Sequence, residues 1–373
     1  MSHAKRISMT SHTASFKQWR RAGLLCAIAL VALTGTWLLM RAHAETVLVS
    51  AEAESGARTT SATPCPGTNA SGGVAVQFGL PACPPASGTF TNPIKQNTAD
   101  PAVMAWNGKY YLVSTGDFTI FESSDLVNWH TTGVSIFPNG HPWAINNFWA
   151  PDLRQVGNKF IFYYSADDGV TARVGAAVAD NLLGPYTDVG APIVSRPYGV
   201  IDVNYFKDDD GKQYLLWKED AGNTRIFIQE LAADGVTLVG TEKAILQKSL
   251  AWEGDAGIEG PWLMKKDGQY YLFYSGNFFG SLDYAVGVAK SATILGAYTK
   301  KADPILKGGP RWKSPGHNSV LSVGGVDYAF YHAWDGAITG NRVGMLDKIT
   351  WSGGWPLIGT GVPTETPQPY PSL

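Results

Sequence analysis

The chain has 373 residues, 45% hydrophobic and only 16% charged, with a formal net charge of −2. That length suits one large domain or two small ones with an ample core, and the apolar content excludes general disorder. Near-neutral charge without a basic stripe excludes a nucleic-acid binder, and the composition likewise excludes a coiled coil and a multispan membrane protein.

Residues 1–44 read as an export signal. Lys17, Arg20 and Arg21 precede an apolar run from Ala22 to Met40, which ends in Ala42-His43-Ala44, a small-x-small cleavage pattern. The run is also long enough to serve as an uncleaved membrane anchor. Either reading places the rest of the chain outside the cytoplasm, secreted or held at the cell surface, with no other membrane contact expected. Cys26 lies inside the run and reads as a passive hydrophobe. Residues 45–90 read as a linker or a remnant of a carbohydrate-binding module. They hold Cys65 and Cys83, the two cysteines beyond the signal, and an oxidising compartment predicts a disulfide between them. Residues 362–373 carry four prolines and read as a loose tail.

The body, 91–361, repeats one unit five times. A turn followed by an aromatic-rich strand recurs as NGKYYLV, GNKFIFYY, GKQYLLW, GQYYLFY and GVDYAFY, marked by Tyr111, Phe160, Tyr214, Tyr271 and Tyr328. Gly and Pro interrupt the chain too often for long helices, and 42 Gly with 22 Pro supply the turns. Repeats of about 50 residues with several strands each predict an all-β, five-bladed propeller.

Upstream of each marker, a short apolar strand opens on a polar residue: Asp100 in ADPAV, Asp152 in APDLR, Asp202 in IDVNY, Glu259 in IEGPW and His317 in GHNSV. If these strands are innermost, their openings converge at one end of the central channel. Four carboxyls in one pocket repel each other and lose solvation, a cost that points to function. Asp152 stands three or four residues off register and reads as a loop-holding group. The run Asp208-Asp209-Asp210-Gly211 reads as a hairpin turn rather than a cation loop. The GxSxG, phosphate-loop and HExxH motifs are absent from the sequence.

ADPAV, FWAPDLR, VIDVNYF, IEGPWL, SPGHNSV and DKITWSGGWP, in this order, resemble glycoside hydrolase family 43, five-bladed propeller enzymes acting on arabinan and xylan. The resemblance implies an inverting hydrolase with Asp100 as general base, Glu259 as general acid and Asp202 as the residue that orients the acid and modulates its pKa. It implies no cofactor for the chemistry; His317, which by itself reads equally as a hydrogen-bonded core histidine or a metal ligand, matches in arabinanase-like members a central-channel histidine near a calcium or other ion. Val203 stands where many relatives have Pro. Inversion needs one protonated and one ionised carboxyl roughly 6.5–9.5 Å apart, with a water between sugar and base. A carboxylate beside Glu259 is expected to keep it protonated by repulsion. Among the 13 Trp, whose flat rings suit sugars, Trp149 is the first candidate platform, with Asn147 and Trp312 behind it, and core packing is the rival reading for each Trp. The expected function is an exported, monomeric arabinan endo-1,5-α-L-arabinosidase acting on a polysaccharide or oligosaccharide. The alternatives are an exo-acting β-xylosidase or α-L-arabinofuranosidase, or a non-catalytic sugar-binding propeller.

Overall fold

The structure, a computed structural model, describes residues 88–373 apart from 117, 138–139 and 222–223, together with the backbone of 62–66 and 74–78. Residues 1–44, the Cys65 side chain and Cys83 lie outside the described residues, and with them the signal and the disulfide. Within the expected linker, Ala62–Pro66 pairs antiparallel with Val74–Phe78, with Cys65 opposite Ala75. This hairpin belongs to a unit divided from the remainder at Pro84–Pro85.

The remainder is a five-bladed β-propeller, as the repeats predict. Blade I starts with Ala102–Trp106 and Lys109–Val113, blade II with Asn146–Val156 and Lys159–Asp167, and blade III with Val200–Lys207 and Gln213–Glu219. Blade IV starts with Ile258–Lys266 and Gln269–Gly276, and blade V with Trp312–Val323 and Val326–Asp335. Each is an antiparallel meander. The first strand of every blade touches the first strands of both neighbours, and the series closes when blade V meets blade I. First strands therefore line the central channel.

Second strands are sandwiched between neighbouring blades, so both of their faces are apolar rather than alternating with polar ones. In Lys159–Asp167 every residue from Phe160 to Ala166 is buried. This explains why the marker strands read as nearly continuous aromatic and aliphatic runs. Side chains from adjacent blades interlock: Phe118 of blade I meets Phe162 of blade II edge-on, with ring centres 4.9 Å apart.

The ring is closed by the segments that enter and leave the propeller. Residues 92–98 run beside the third strand of blade V, Val343–Ser352: Ile94 N–H donates to the Gly344 carbonyl at 2.9 Å and Gly344 N–H to that of Lys95 at 2.7 Å. Buried Asn92 clamps Leu346 from both sides, donating to its carbonyl at 3.1 Å and accepting its N–H at 2.9 Å. The C-terminal segment is docked, not loose. Gln368–Pro369 pairs with Thr89–Phe90, the Tyr370 ring packs on Phe90, and Thr364 N–H donates to the buried Asp347 carboxyl at 3.2 Å. Proline content misled here because prolines in an edge strand and its flanks need no ladder partner for their missing N–H.

Candidate active site

Where the inner strands open into the channel, all five carry the same backbone device. One residue in each is left-handed: Asp100 at φ 52°, Ala150 at 43°, Asp202 at 61°, Gly260 at 58° and His317 at 49°. Four of the five are not glycine, and a side chain there crowds the backbone, so each is a strained position. In blades II to V the preceding residue pairs across to the second strand as Trp149↔Ser165, Ile201↔Lys218, Glu259↔Ser275 and Gly316↔His332, with a register shift immediately after. Such a bulge re-aims consecutive side chains at the channel mouth.

This register refines the expected set of five polar residues. Asp100, Asp202 and His317 occupy equivalent places, whereas Glu259 stands one residue earlier, beside the equivalent Gly260. Asp152 lies two residues beyond its blade's left-handed position. There its Oδ2 accepts the Tyr205 N–H at 2.9 Å and the Asn204 amide at 3.1 Å, tying blade II to blade III. Asp152 is thus an inter-blade tie, in line with the structural reading of its offset.

Asp100 is buried in a nest of one arginine and two histidines. Its Oδ1 lies 2.9 Å from Arg342 Nη1, 3.1 Å from His332 Nδ1 and 3.4 Å from His317 Nδ1, and its Oδ2 accepts from Thr115 Oγ1 at 2.5 Å. Burial pushes its pKa up, but Arg342, His317 and His332 outweigh that and hold the carboxyl well below its ordinary range. His332 is driven the other way, to about 4, by its own burial and by Arg342, so it is neutral around pH 7. Asp202 is equally buried but lacks such a nest. Burial, with repulsion from Glu259 and Asp100, raises it to about 6 against the pull of His317 and Lys218. Two aspartates at equivalent backbone positions therefore have opposite protonation tendencies.

Glu259 is more exposed than either. Its Oε1 accepts the Tyr284 hydroxyl proton at 2.6 Å, and its Oε2 lies 3.5 Å from Lys218 Nζ. Tyr284 stacks on His332 with ring centres 5.9 Å apart and planes within 5°, so a tyrosine–histidine pair links the surroundings of Glu259 and Asp100. This stack needs Gly316, where a Cβ would stand 2.0 Å from the Tyr284 ring. Asp202 Oδ2 accepts the Gly260 N–H at 2.9 Å and so joins the backbone next to Glu259.

The expected sugar platforms divide. Trp149 is half-buried in the register position that Glu259 fills in blade IV, and Asn147 is exposed in the adjoining left-handed segment. Trp312 is a correction: it is fully buried in the main core, capped by the Arg311 guanidinium, and offers no open face. Phe278 and Phe279 are exposed instead, with the Arg342 guanidinium 4.9 Å above the Phe279 ring. Among the described residues no group of three or more His, Cys, Asp or Glu is placed to hold a metal ion. The His317 ring sits against Asp100. Sequence reasoning missed Arg342, Tyr284, Thr115, His332 and Lys218. The last three had a signal: in blades I, III, IV and V, Thr115, Lys218, Ser275 and His332 each follow the marker tyrosine by four residues.

The profile of Glycosyl hydrolases family 43 matches residues 90–356. The chain belongs to that family. As a family 43 member it is an O-glycosyl hydrolase of inverting mechanism that needs no cofactor for its chemistry. It is 31% identical to a β-D-galactofuranosidase of Aspergillus niger over 63% of this chain and 73% of that protein. With an extracellular endo-α-(1→5)-L-arabinanase of Bacillus subtilis it shares 27%, over 73% and 91%. A crystal structure of a thermostable family 43 glycoside hydrolase superposes with a TM-score of 0.71 and 32% identity, covering 76% of this chain and all of the other.

Proposed function

We propose that this family 43 enzyme is exported and hydrolyses arabinan by inversion, acting as an endo-1,5-α-L-arabinosidase. The observation that carries the mechanism is the contrast between its carboxyls: Asp100 is held ionised by Arg342 and its two histidines, while Glu259 faces the channel beside Tyr284. Asp100 removes a proton from water as the water oxygen bonds to the anomeric carbon. Glu259 gives its proton to the glycosidic oxygen as the carbon–oxygen bond breaks on the other face. Asp202, bonded to the backbone beside Glu259, orients that acid. Trp149, Asn147 and the exposed Phe279 serve the sugar rings. The endo reading draws on the arabinanase relative, and export on that relative's extracellular name. The exo reading has support of its own: an extracellular exo-α-(1→5)-L-arabinofuranosidase of Cellvibrio japonicus is 28% identical.

Linear arabinan, arabinoxylan and nitrophenyl glycosides, assayed with calcium and with chelator, test the substrate. Short oligomers of mixed length from arabinan support endo action. Arabinose alone, or activity confined to xylan, overturns it. Asp100→Asn is expected to lower turnover about 100- to 10,000-fold in a folded protein, as loss of a general base does. Glu259→Gln should lose far more activity on natural linkages than on nitrophenyl glycosides, whose leaving group barely needs a proton. Near-normal turnover by the first variant, or equal losses on both substrate types by the second, would sink these roles.

A further inference from the structure

The five left-handed residues are held by a ring of bonds from blade to blade, and the ring has one irregular link. The backbone N–H of Ala150 donates to Thr115 Oγ1 at 2.8 Å, that of Asp202 to Ser165 Oγ at 2.9 Å, and that of His317 to Ser275 Oγ at 2.7 Å. The N–H of Asp100 meets His332 Nδ1 at 3.2 Å. In the three hydroxyl cases a short polar group near the end of one blade's second strand accepts from the next blade's strained residue, and in blade V His332 Nδ1 fills the same slot against both the Asp100 N–H and its carboxyl. Blade III puts Lys218 in that slot, paired across to Ile201 as Ser275 is to Glu259. An ammonium has only donors, so it cannot accept the Gly260 N–H. Asp202 Oδ2 takes that bond instead.

We infer that Lys218 is a positioning residue for the proton-donating carboxyl: by occupying this slot it commits Asp202 to the Gly260 backbone and aims a buried ammonium at Glu259. The inference rests on the reading of Glu259 as the acid. The side chain of Lys218 is 8% exposed, and its Nζ lies 3.5 Å from both Glu259 Oε2 and Asp220 Oδ1. Burial alone would lower its pKa, but Glu259, Asp202 and Asp220 outweigh that and raise it, so the group stays cationic. A cation on one oxygen and the Tyr284 hydroxyl on the other leave Glu259 two fixed contacts and few alternative rotamers. The ammonium is also a counter-charge for the carboxylate left after each proton transfer.

The test compares Lys218→Met, of similar length but neutral, with Lys218→Ser, which restores the hydroxyl found in blades II and IV. Both are measured on arabinan oligomers and nitrophenyl glycosides beside Glu259→Gln. Both are expected to fold and to lose about 10- to 100-fold in kcat on natural linkages, part of a general acid's contribution, with KM little changed. Nitrophenyl glycosides should be largely spared, and the alkaline limb of the pH–rate profile should move to higher pH. Lys218→Arg should recover part of the rate. On the Glu259→Gln background, Lys218→Met should add little further loss. Unchanged kcat and pH limb, or losses equal on both substrate types, would overturn the inference while leaving Glu259 as acid. Were Glu259→Gln itself insensitive to the leaving group, the acid assignment would fall and this inference with it.

Discussion

At the residue scale, the same side chain does different work according to the charges around it. Asp100 and Asp202 share a backbone position, φ sign and burial, yet Arg342 reaches only the first. The consequence for Asp202 is measurable as stability. With a folded pKa of about 6, above the unfolded value of about 3.9, the native state binds this proton more tightly. Its contribution is therefore fully present below pH 4 and lost as pH rises through 6, on the order of 2–3 kcal/mol. Asp202→Asn retains an acceptor for the Gly260 N–H and removes the ionisation. Urea unfolding should show the variant gaining on the parent between pH 4 and pH 7.5, while its activity falls. A constant difference in midpoint across that range would refute the buried-acid account. Such a residue, costly when charged and kept in place, is how a site trades stability for chemistry.

At the scale of the strand, the bulge and its inter-blade bond form a unit. The His317 N–H is satisfied by Ser275 Oγ of the preceding blade, and Ser275 is fully buried. Ser275→Ala would leave that donor unpaired, at a cost of about 1–3 kcal/mol. Because His317 then loses its anchor beside Asp100, kcat should fall as well. Thermal unfolding and kinetics on one preparation check both. Unchanged stability would mean that the strained turn holds itself and the ring is decorative. The five openings were legible in the sequence because the blade repeats. The one-residue displacement of Glu259 from its partners was not, because a bulge shifts register without leaving a residue-type signature.

For the whole molecule, closure is the issue: a five-bladed ring needs its first and last blades joined. Here the join is made by residues 92–98 on blade V and by the C-terminal segment on Thr89–Phe90. Deleting 362–373 would expose Phe90 and strip Asp347, whose pKa burial already raises, of the Thr364 N–H. A loss of about 3 kcal/mol and a drop in Tm of about 5 °C or more are expected, with kcat per folded molecule nearly unchanged. A truncated protein melting at the parental temperature would show that 92–98 closes the ring alone.

What the sequence by itself determined was the repeat: five turn-and-aromatic units imply five blades, because each meander must bury both faces against its neighbours. The same repeat put Asp100, Asp202, Glu259 and His317 at one end of the channel, since equivalent positions in a ring converge. Tertiary structure alone decided what those groups are. Arg342 is remote from Asp100 in the chain, and Tyr284 reaches Glu259 only past a glycine of the next blade. For Trp312 the sequence left platform and core open, and packing put it in the core. The reason is physical: periodicity is written locally along the chain, whereas charge environment and burial arise only when distant blades are packed side by side.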